Sequence, residues 1–419
     1  MVETIQDSLV DPSVRRNPFE FYRTLREKAP VYMMRGTDFY FVSDFDIATK
    51  VLRDPENFSN EFPEGQTSFV NFSPEADKLL AEKGYGRRVK TVVFSDPPVH
   101  TQYRRLVSDA LRPSVVRAMA PKIRTVVSDL LADIPEDGVV DVVKALLVPL
   151  PMFILADWMG VDREDYESFK KWSLAANYTL QPPLPQETLM TYAETIAEMQ
   201  HYLAGMMEVR RKEPKEDLIS ELLQADLGGE RKLTDKEILS LLETLLVAGN
   251  ETTTNAIGNA MLVLAQDPAL QKTLRDDKSL ILRFIEEALR TQSSVTGVFK
   301  RAKVDMELGG VAIPAGAKIL VGLAAANRDD KQFDHAEAVD LQRSNARTHL
   351  AFGNGFHTCL GNNLARLEMQ LFFELFLDEF ESFSLAIPEE EVKYLDLMGL
   401  RGLAELPLNL VHAKERATA

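Results

Sequence analysis

The sequence predicts a mainly α protein with small β-sheets, an α+β chain in which helices carry most of the mass. Three observations lead there. Apolar residues recur at helical spacing along most of the 419 residues. Short β-prone runs, punctuated by Gly and Pro, gather near the two ends. The apolar fraction is 45%, which is ample for one large core.

Taken in order, an amphipathic helix is expected over Phe19–Glu27, behind Pro18. Val31–Met34 and Phe39–Val42 flank Gly36 and read as a hairpin. Helical patterns follow over Asp44–Leu52, Val99–Leu111, Val115–Leu131, Pro151–Trp158, Glu164–Ala175 and Glu187 to about Arg211. A long helix runs from Thr234 to Gln266, roughly 50 Å at the helical rise. It opens on a capping box, Thr234 with Glu237, and stops at Asp267–Pro268. Ser279–Arg290 is a further helix. Val304–Leu308, Val311–Ile313 and Lys318–Val321 read as short strands. Residues 327–358 form a long irregular stretch, which inside a compact domain is normally functional. A last helix covers Leu360–Phe380, and a β-rich tail closes the chain. Glu61–Ser95 and Asn177–Gln186 read as variable loops and as candidates for ligand access.

Length alone would suggest two or three domains. No Gly/Ser or Pro-rich linker, low-complexity tract or repeat divides the chain, so 1–419 reads as a single domain. The formal charge of −16 argues against general nucleic-acid binding, which needs a basic face. One cysteine excludes an intramolecular disulfide and fits a reducing compartment. No run of about 18 apolar residues suggests a membrane span. Met1 to Asn17 is polar, without the apolar region of a signal peptide. The expectation is a cytoplasmic protein that binds neither membrane nor nucleic acid.

The chemistry gathers around that cysteine, in Phe352-Gly353-Asn354-Gly355-Phe356-His357-Thr358-Cys359-Leu360-Gly361. Gly353 and Gly355 allow a tight, open turn. Cys359 is expected in the first turn of a helix, where free N–H groups and the helix dipole favour a thiolate. Gly361 leaves room for a flat ligand. One Cys and six His provide no zinc or iron–sulfur ligand set, so a single thiolate under a macrocycle is the sensible use.

This segment resembles the cytochrome P450 signature in its bacterial form, with His two residues before Cys. The resemblance covers nearly the whole chain, because three further motifs occur in family order. It implies the cytochrome P450 fold, a triangular helical prism around a buried haem b, with Cys359 as the iron ligand and Phe352, Gly361 and Ala248 against the macrocycle. Glu287-Ala288-Leu289-Arg290 places an acid and a base three apart on one helix face. The resemblance implies that Glu287 and Arg290 join Arg343 and lock the loop behind the haem. Ala248-Gly249-Asn250-Glu251-Thr252-Thr253-Thr254 is a weak helical segment in the middle of the long helix. It reads either as a tolerated weak spot or as a deliberate local opening, and Glu251 and Thr252 match the family's acid–alcohol pair beside the oxygen site. His100 and Arg104 are i and i+4 on one helix. With Arg301 and His357 they match ligands of the haem propionates, a task suited to Arg. The proline usual near Ser293–Ser294 is absent, and the aromatic–proline pattern reads Phe333, Ala336, Val339.

The resemblance implies a monooxygenase that puts one atom of O2 into a C–H or C=C bond. Electrons would come from NAD(P)H through a reductase and an acidic ferredoxin, or a flavodoxin. That partner would dock on the Cys359 side, near Arg104, Arg105, Arg112, Arg117 and Arg366, on a monomer. A peroxide-using or rearranging member and a haem sensor without turnover are the alternatives; Glu251 and Thr252 argue against both. Leu245, Ala248, Val295, Thr296, Val298 and Leu400 are the expected substrate-pocket positions. They are mostly small or aliphatic, so an apolar small molecule is expected. Terpenoid, steroid, fatty acid and aromatic skeletons all satisfy them.

Overall fold

The structure is a computed structural model. It describes residue 5 and residues 7–62, 72–136, 138–176, 184–227, 229, 231–397 and 399–413. The chain divides into two compact units. One comprises Met1–Asn60, Val127–Leu147 and Thr252–Ala419; the other comprises Glu61–Val126 and Val148–Glu251. No helix among the described residues is long and apolar enough to cross a membrane.

The first unit holds the main sheets. Five strands lie in the order Val31–Met33, Phe39–Val42, Lys318–Val321, Val298–Ala302 and Phe58–Ser59. Only the Phe39–Val42 and Lys318–Val321 pair is parallel, with Val42 opposite Val321. The N-terminal hairpin is where the sequence puts it. Strand Val298–Ala302 was not anticipated, because Lys300 and Arg301 break its apolar alternation; Lys300 is buried and reaches Asn60. The strand expected at Val304–Leu308 is shorter, Met306–Leu308, and turns through Gly309 and Gly310 into Val311–Ile313. Both glycines have positive φ, and a Cβ on Gly309 would come within 2.8 Å of Val31. A three-stranded sheet joins Phe380–Leu385, Pro407–His412 and Val139–Asp141, the β-rich tail of the sequence reading.

Helices Ile281–Thr291 and Asn362–Glu379 belong to the same unit and pack through Phe284 and Phe373, centroids 5.5 Å apart. Phe372, Phe376, Phe380 and Phe383 continue that aromatic core.

The second unit is mainly helical, with a short antiparallel pair, Asp226–Leu227 and Arg231–Lys232. Helix Gln186–Lys212 packs on Pro74–Lys83, and Gly84 lets the backbone approach: a Cβ there would lie 3.0 Å from that of Ala197. Pro74–Lys83 lies inside the stretch read as the loop Glu61–Ser95. Its signals are ordinary, with Ser73 as N-cap to the Ala76 N–H, Pro74 at the first turn and Gly84 at the end. Residues 63–71 and 177–183, parts of the two expected access loops, lie outside the described residues. The helix expected over Val115–Leu131 is two, Pro113–Ala118 and Ala120–Ala132. Pro121 accounts for the break, since a ring without an N–H fits only the first turn of a helix.

The long helix runs unbroken from Asp235 to Gln266. Its capping box forms as expected: Glu237 N–H donates to Thr234 Oγ1 at 3.3 Å, and Glu237 Oε2 accepts the Thr234 N–H at 2.8 Å.

Candidate functional site

The cysteine turn belongs to the first unit. Gly355, with φ +71°, begins the short 3-10 turn Gly355–His357. A Cβ on Gly355 would meet the Leu52 carbonyl oxygen at 2.6 Å, so both conformation and space demand glycine there. The turn closes when Cys359 N–H donates to the Phe352 carbonyl at 2.8 Å. Gly353 N–H donates to the Leu350 carbonyl at 2.8 Å, and Thr358 Oγ1 to the Gly355 carbonyl at 2.8 Å. These bonds fix the backbone, and none of them uses the sulfur.

Two expectations near this turn need correction. The helix begins at Asn362 with Gly361 as N-cap, so Cys359 stands ahead of the first turn. The dipole argument weakens accordingly, because that field fades beyond the terminal turn. The backbone path is set instead by the Phe352 carbonyl and by Asn362 Nδ2, which donates to the Cys359 carbonyl at 2.6 Å.

The residues fit a flat group held by one thiolate. Free cysteines are usually buried, yet Cys359 is exposed. Gly361 stands beside it, where an added Cβ would lie in ordinary contact, 3.9 Å from Cys359 Sγ. No cluster of three or more His, Cys, Asp or Glu suited to a metal occurs among the described residues. The donor that the turn itself offers is a single soft sulfur, that of Cys359.

Behind the turn, Glu287, Arg290 and Arg343 come together as expected. Arg290 forks onto Glu287 at 2.7 and 2.9 Å, with both side chains buried. It also donates to the carbonyls of Asn327 at 3.0 Å, Ala336 at 2.6 Å and Ala338 at 2.8 Å. Glu287 accepts Arg343 Nε at 3.1 Å and the Asp340 N–H at 2.8 Å. Burial works to raise the Glu287 pKa, but these hydrogen bonds, led by Arg290, hold it below the usual carboxylate range.

The sequence reading missed the neighbouring residue, Glu286. It accepts Arg366 Nε at 2.7 Å and Nη2 at 3.0 Å, and lies 3.1 Å from His349 Nε2. Burial again opposes ionisation, yet the bonds from His349 and Arg366 bring its pKa down to about 2. The adjacent pair Glu286–Glu287 on a helix with so strong an apolar face was the available signal. A second missed acid, Glu368, is fully buried in the helix after Cys359, and burial pushes its pKa up to about 8.

Among the pocket positions in this unit, Val295 and Leu400 form an isolated antiparallel bridge. Thr296 N–H donates to the Gly399 carbonyl at 2.8 Å, and Val298 pairs with Val321. These four are thus brought to one place by the sheet and the Leu400 turn. Arg301 lies on strand Val298–Ala302 and is half-buried, as is His357.

In the second unit His100 is buried and Arg104 half-buried, one turn apart on helix Val99–Ala110. Arg105 is exposed on this helix, Arg117 on the one that follows, and Arg112 at the N-cap of the second. Leu245, Ala248 and Glu251 occupy successive turns of the long helix, and Thr252 follows.

The local opening expected at 248–254 is absent, since the helix is regular there. Gly249 is explained by packing: a Cβ on it would lie 3.0 Å from Leu155 Cδ2. Thr254 Oγ1 donates to the Leu147 carbonyl at 3.0 Å and not to its own preceding turn.

Comparison with known proteins agrees with the motif reading. The family model described as cytochrome P450 matches residues 9–400. The chain is 31% identical over 409 residues to the biotin biosynthesis cytochrome P450 of Bacillus subtilis, covering 97% of this chain and 99% of that one. It is 32% identical over 406 residues to 6-deoxyerythronolide B hydroxylase of Saccharopolyspora erythraea, covering 93% and 96%. Among solved structures, CYP109E1 from Bacillus megaterium in complex with corticosterone aligns with a TM-score of 0.81 at 31% identity, over 95% of this chain and 99% of that one.

Proposed function

The chain belongs to the cytochrome P450 family of haem enzymes, and from that premise we propose that it is a monooxygenase acting on an apolar small molecule. The reaction would insert one oxygen atom of O2 into a C–H bond, with 1–419 serving as one catalytic domain in the cytoplasm. The observation that carries this reading is the turn Phe352–Gly361, which presents the chain's one cysteine in an exposed position beside a glycine. When bound, the haem supplies O2 activation at the expense of two electrons, helped by the electron-rich thiolate. Cys359 would bind the iron, Phe352, Gly361 and Ala248 would border the macrocycle, and His100, Arg104, Arg301 and His357 would bind its propionates. Thr252 and Glu251 would hold and pass on the protons that the reaction consumes, a task set by geometry before pKa. Leu245, Ala248, Val295, Thr296, Val298 and Leu400 face the substrate. A bulky apolar skeleton suits that aliphatic set. The relatives support this choice, since one is named for hydroxylating 6-deoxyerythronolide B and one structure holds corticosterone. A ligand screen by the ferric spin-state shift, followed by substrate-dependent NADH consumption with a surrogate reductase and ferredoxin, tests the reading. No spin shift across such ligands and no product would overturn it.

Thr252→Ala separates proton delivery from everything else. It leaves the cysteine turn and the propionate ligands untouched, so haem content and substrate binding persist. NADH consumption continues, but the reduced oxygen leaves as peroxide instead of entering substrate. NADH consumed, peroxide released and product formed in one assay check this; unchanged product per NADH removes Thr252 from the role.

An acidic ferredoxin suits residues 105–117, where Arg105, Arg112 and Arg117 are exposed with one aspartate among them in a chain of net charge −16. Turnover with such a partner should fall as salt rises. Reversing charge at Arg112 and Arg117 should slow it severalfold without changing haem content. Salt-independent turnover would count against this docking face. Arg366 is not available as a free docking charge, because Glu286 holds its guanidinium by two bonds.

A further inference from the structure

Helix Ile281–Thr291 carries two successive carboxylates with different targets. Glu287 braces residues 336–343 through Arg290 and Arg343. Glu286 addresses the cysteine turn itself. We infer that Glu286 is a positioning residue for the thiolate. Acting through Arg366, His349 and Phe352, it fixes the carbonyl that receives the Cys359 N–H and balances the positive charge beside it. The inference rests on Cys359 being the haem ligand.

Each link is a short contact within one unit. The Arg366 fork closes on both oxygens of Glu286, at 2.7 and 3.0 Å. The Arg366 guanidinium carbon lies 4.4 Å from the centroid of the Phe352 ring. His349 approaches the same ring, centroids 5.9 Å apart. His349 Nδ1 accepts the Ala351 N–H at 3.2 Å. An amide N–H can only donate, so Nε2 carries the hydrogen given to Glu286 at 3.1 Å. The ring is thereby fixed in both tilt and tautomer. Leu350 N–H, next along the chain, is taken by Asn327 Oδ1 at 2.6 Å, and Asn327 is itself held by Ser293 at 2.9 Å. Phe352 is thus gripped on both sides before its carbonyl meets Cys359 N–H at 2.8 Å.

An exposed salt bridge would contribute little. This one is different in kind, because the side chains of Glu286 and His349 are 6% and 1% exposed and that of Arg366 17%. Only Arg347, 3.4 Å from Glu286, faces solvent freely. Partners of this kind, one step removed from a metal ligand, orient it and tune the metal. Reduction adds one negative charge at the iron, so a nearby cation favours the reduced form and a nearby anion opposes it. Glu286 and Arg366 therefore act with opposite sign.

The test uses purified holoenzyme at neutral pH and reads the midpoint potential and the ferrous–CO spectrum. Glu286→Gln leaves Arg366 uncompensated; the potential should rise, and the red-shifted thiolate band should decay severalfold faster. Arg366→Gln removes the cation while Glu286 keeps its bonds to His349 and Arg347, and the potential should fall. The double variant carries neither charge and should return towards the wild-type potential, and it remains usable if Glu286→Gln folds poorly. Simple loosening of the turn would move both single variants in the same direction. That result, or potentials that do not move, overturns the role of Glu286 while the wild-type thiolate band still stands. Absence of that band in the wild type overturns the ligand assignment itself.

Discussion

Cys359→Ser is expected to fold and to lack the red-shifted ferrous–CO band of thiolate ligation; Cys359→His should bind haem weakly or not at all. The expectation follows from how the turn is built. Its closing bonds run from Cys359 N–H to the Phe352 carbonyl, from Gly353 N–H to the Leu350 carbonyl and from Thr358 to the Gly355 carbonyl. Serine makes the first through its own N–H and leaves the other two in place. What it cannot supply is a soft, electron-rich donor, and the chain has no second cysteine to stand in. Histidine is longer and would place its nitrogen further out than the sulfur. CO difference spectroscopy on the purified variants decides the matter. A thiolate band retained in Cys359→Ser would overturn the assignment.

Arg290→Ala should destabilise the protein by about 3–5 kcal/mol and yield haem-poor or insoluble material. The Arg290 side chain is fully buried and serves Glu287 and three backbone carbonyls at once. Truncation leaves the carbonyls of Asn327, Ala336 and Ala338 without this donor. It also leaves Glu287 buried with only Arg343 and the Asp340 N–H. Buried acceptors stripped of donors bear the full desolvation penalty. Arg290→Lys should recover little, since a single ammonium cannot form the fork and reach three carbonyls together. Thermal melting and haem content per chain measure both effects. Full haem occupancy with an unchanged melting temperature would reduce the group to an ordinary ion pair.

How much of this is legible in the sequence depends on whether the cause is local. The cysteine turn was readable because backbone constraint writes itself into residue type: only glycine tolerates the conformation and crowding at position 355. The capping box at Thr234 was readable for the same reason. The spacing of Glu287 and Arg290 puts them on one helix face, but burial is a property of what packs against that face, and only family resemblance supplied it. Glu286 escaped notice because its partners His349 and Arg366 lie 63 and 80 residues away. The start of the last helix was misplaced because Leu360 and Gly361 continue its pattern although the first helical residue is Asn362. Gly249 looked like a weak point in a helix, whereas the neighbour that requires it, Leu155, is a tertiary contact. Helix Pro74–Lys83 carries its signal in the Ser73 cap and Pro74, but the polar, loop-like residues around it mask that signal.

The irregular stretch between strand Lys318–Val321 and the cysteine has a consequence for how the chain can vary in length. Surface loops ordinarily absorb insertions and deletions. Here side chains of one helix, directly or through Asn327, hold the stretch at residues 327, 336, 338, 340, 349 and 350. Adding one residue between any two of these points would shift every later group by about 3.8 Å, more than a hydrogen bond can follow. A segment with almost no regular secondary structure is thereby as fixed in length as a strand in register.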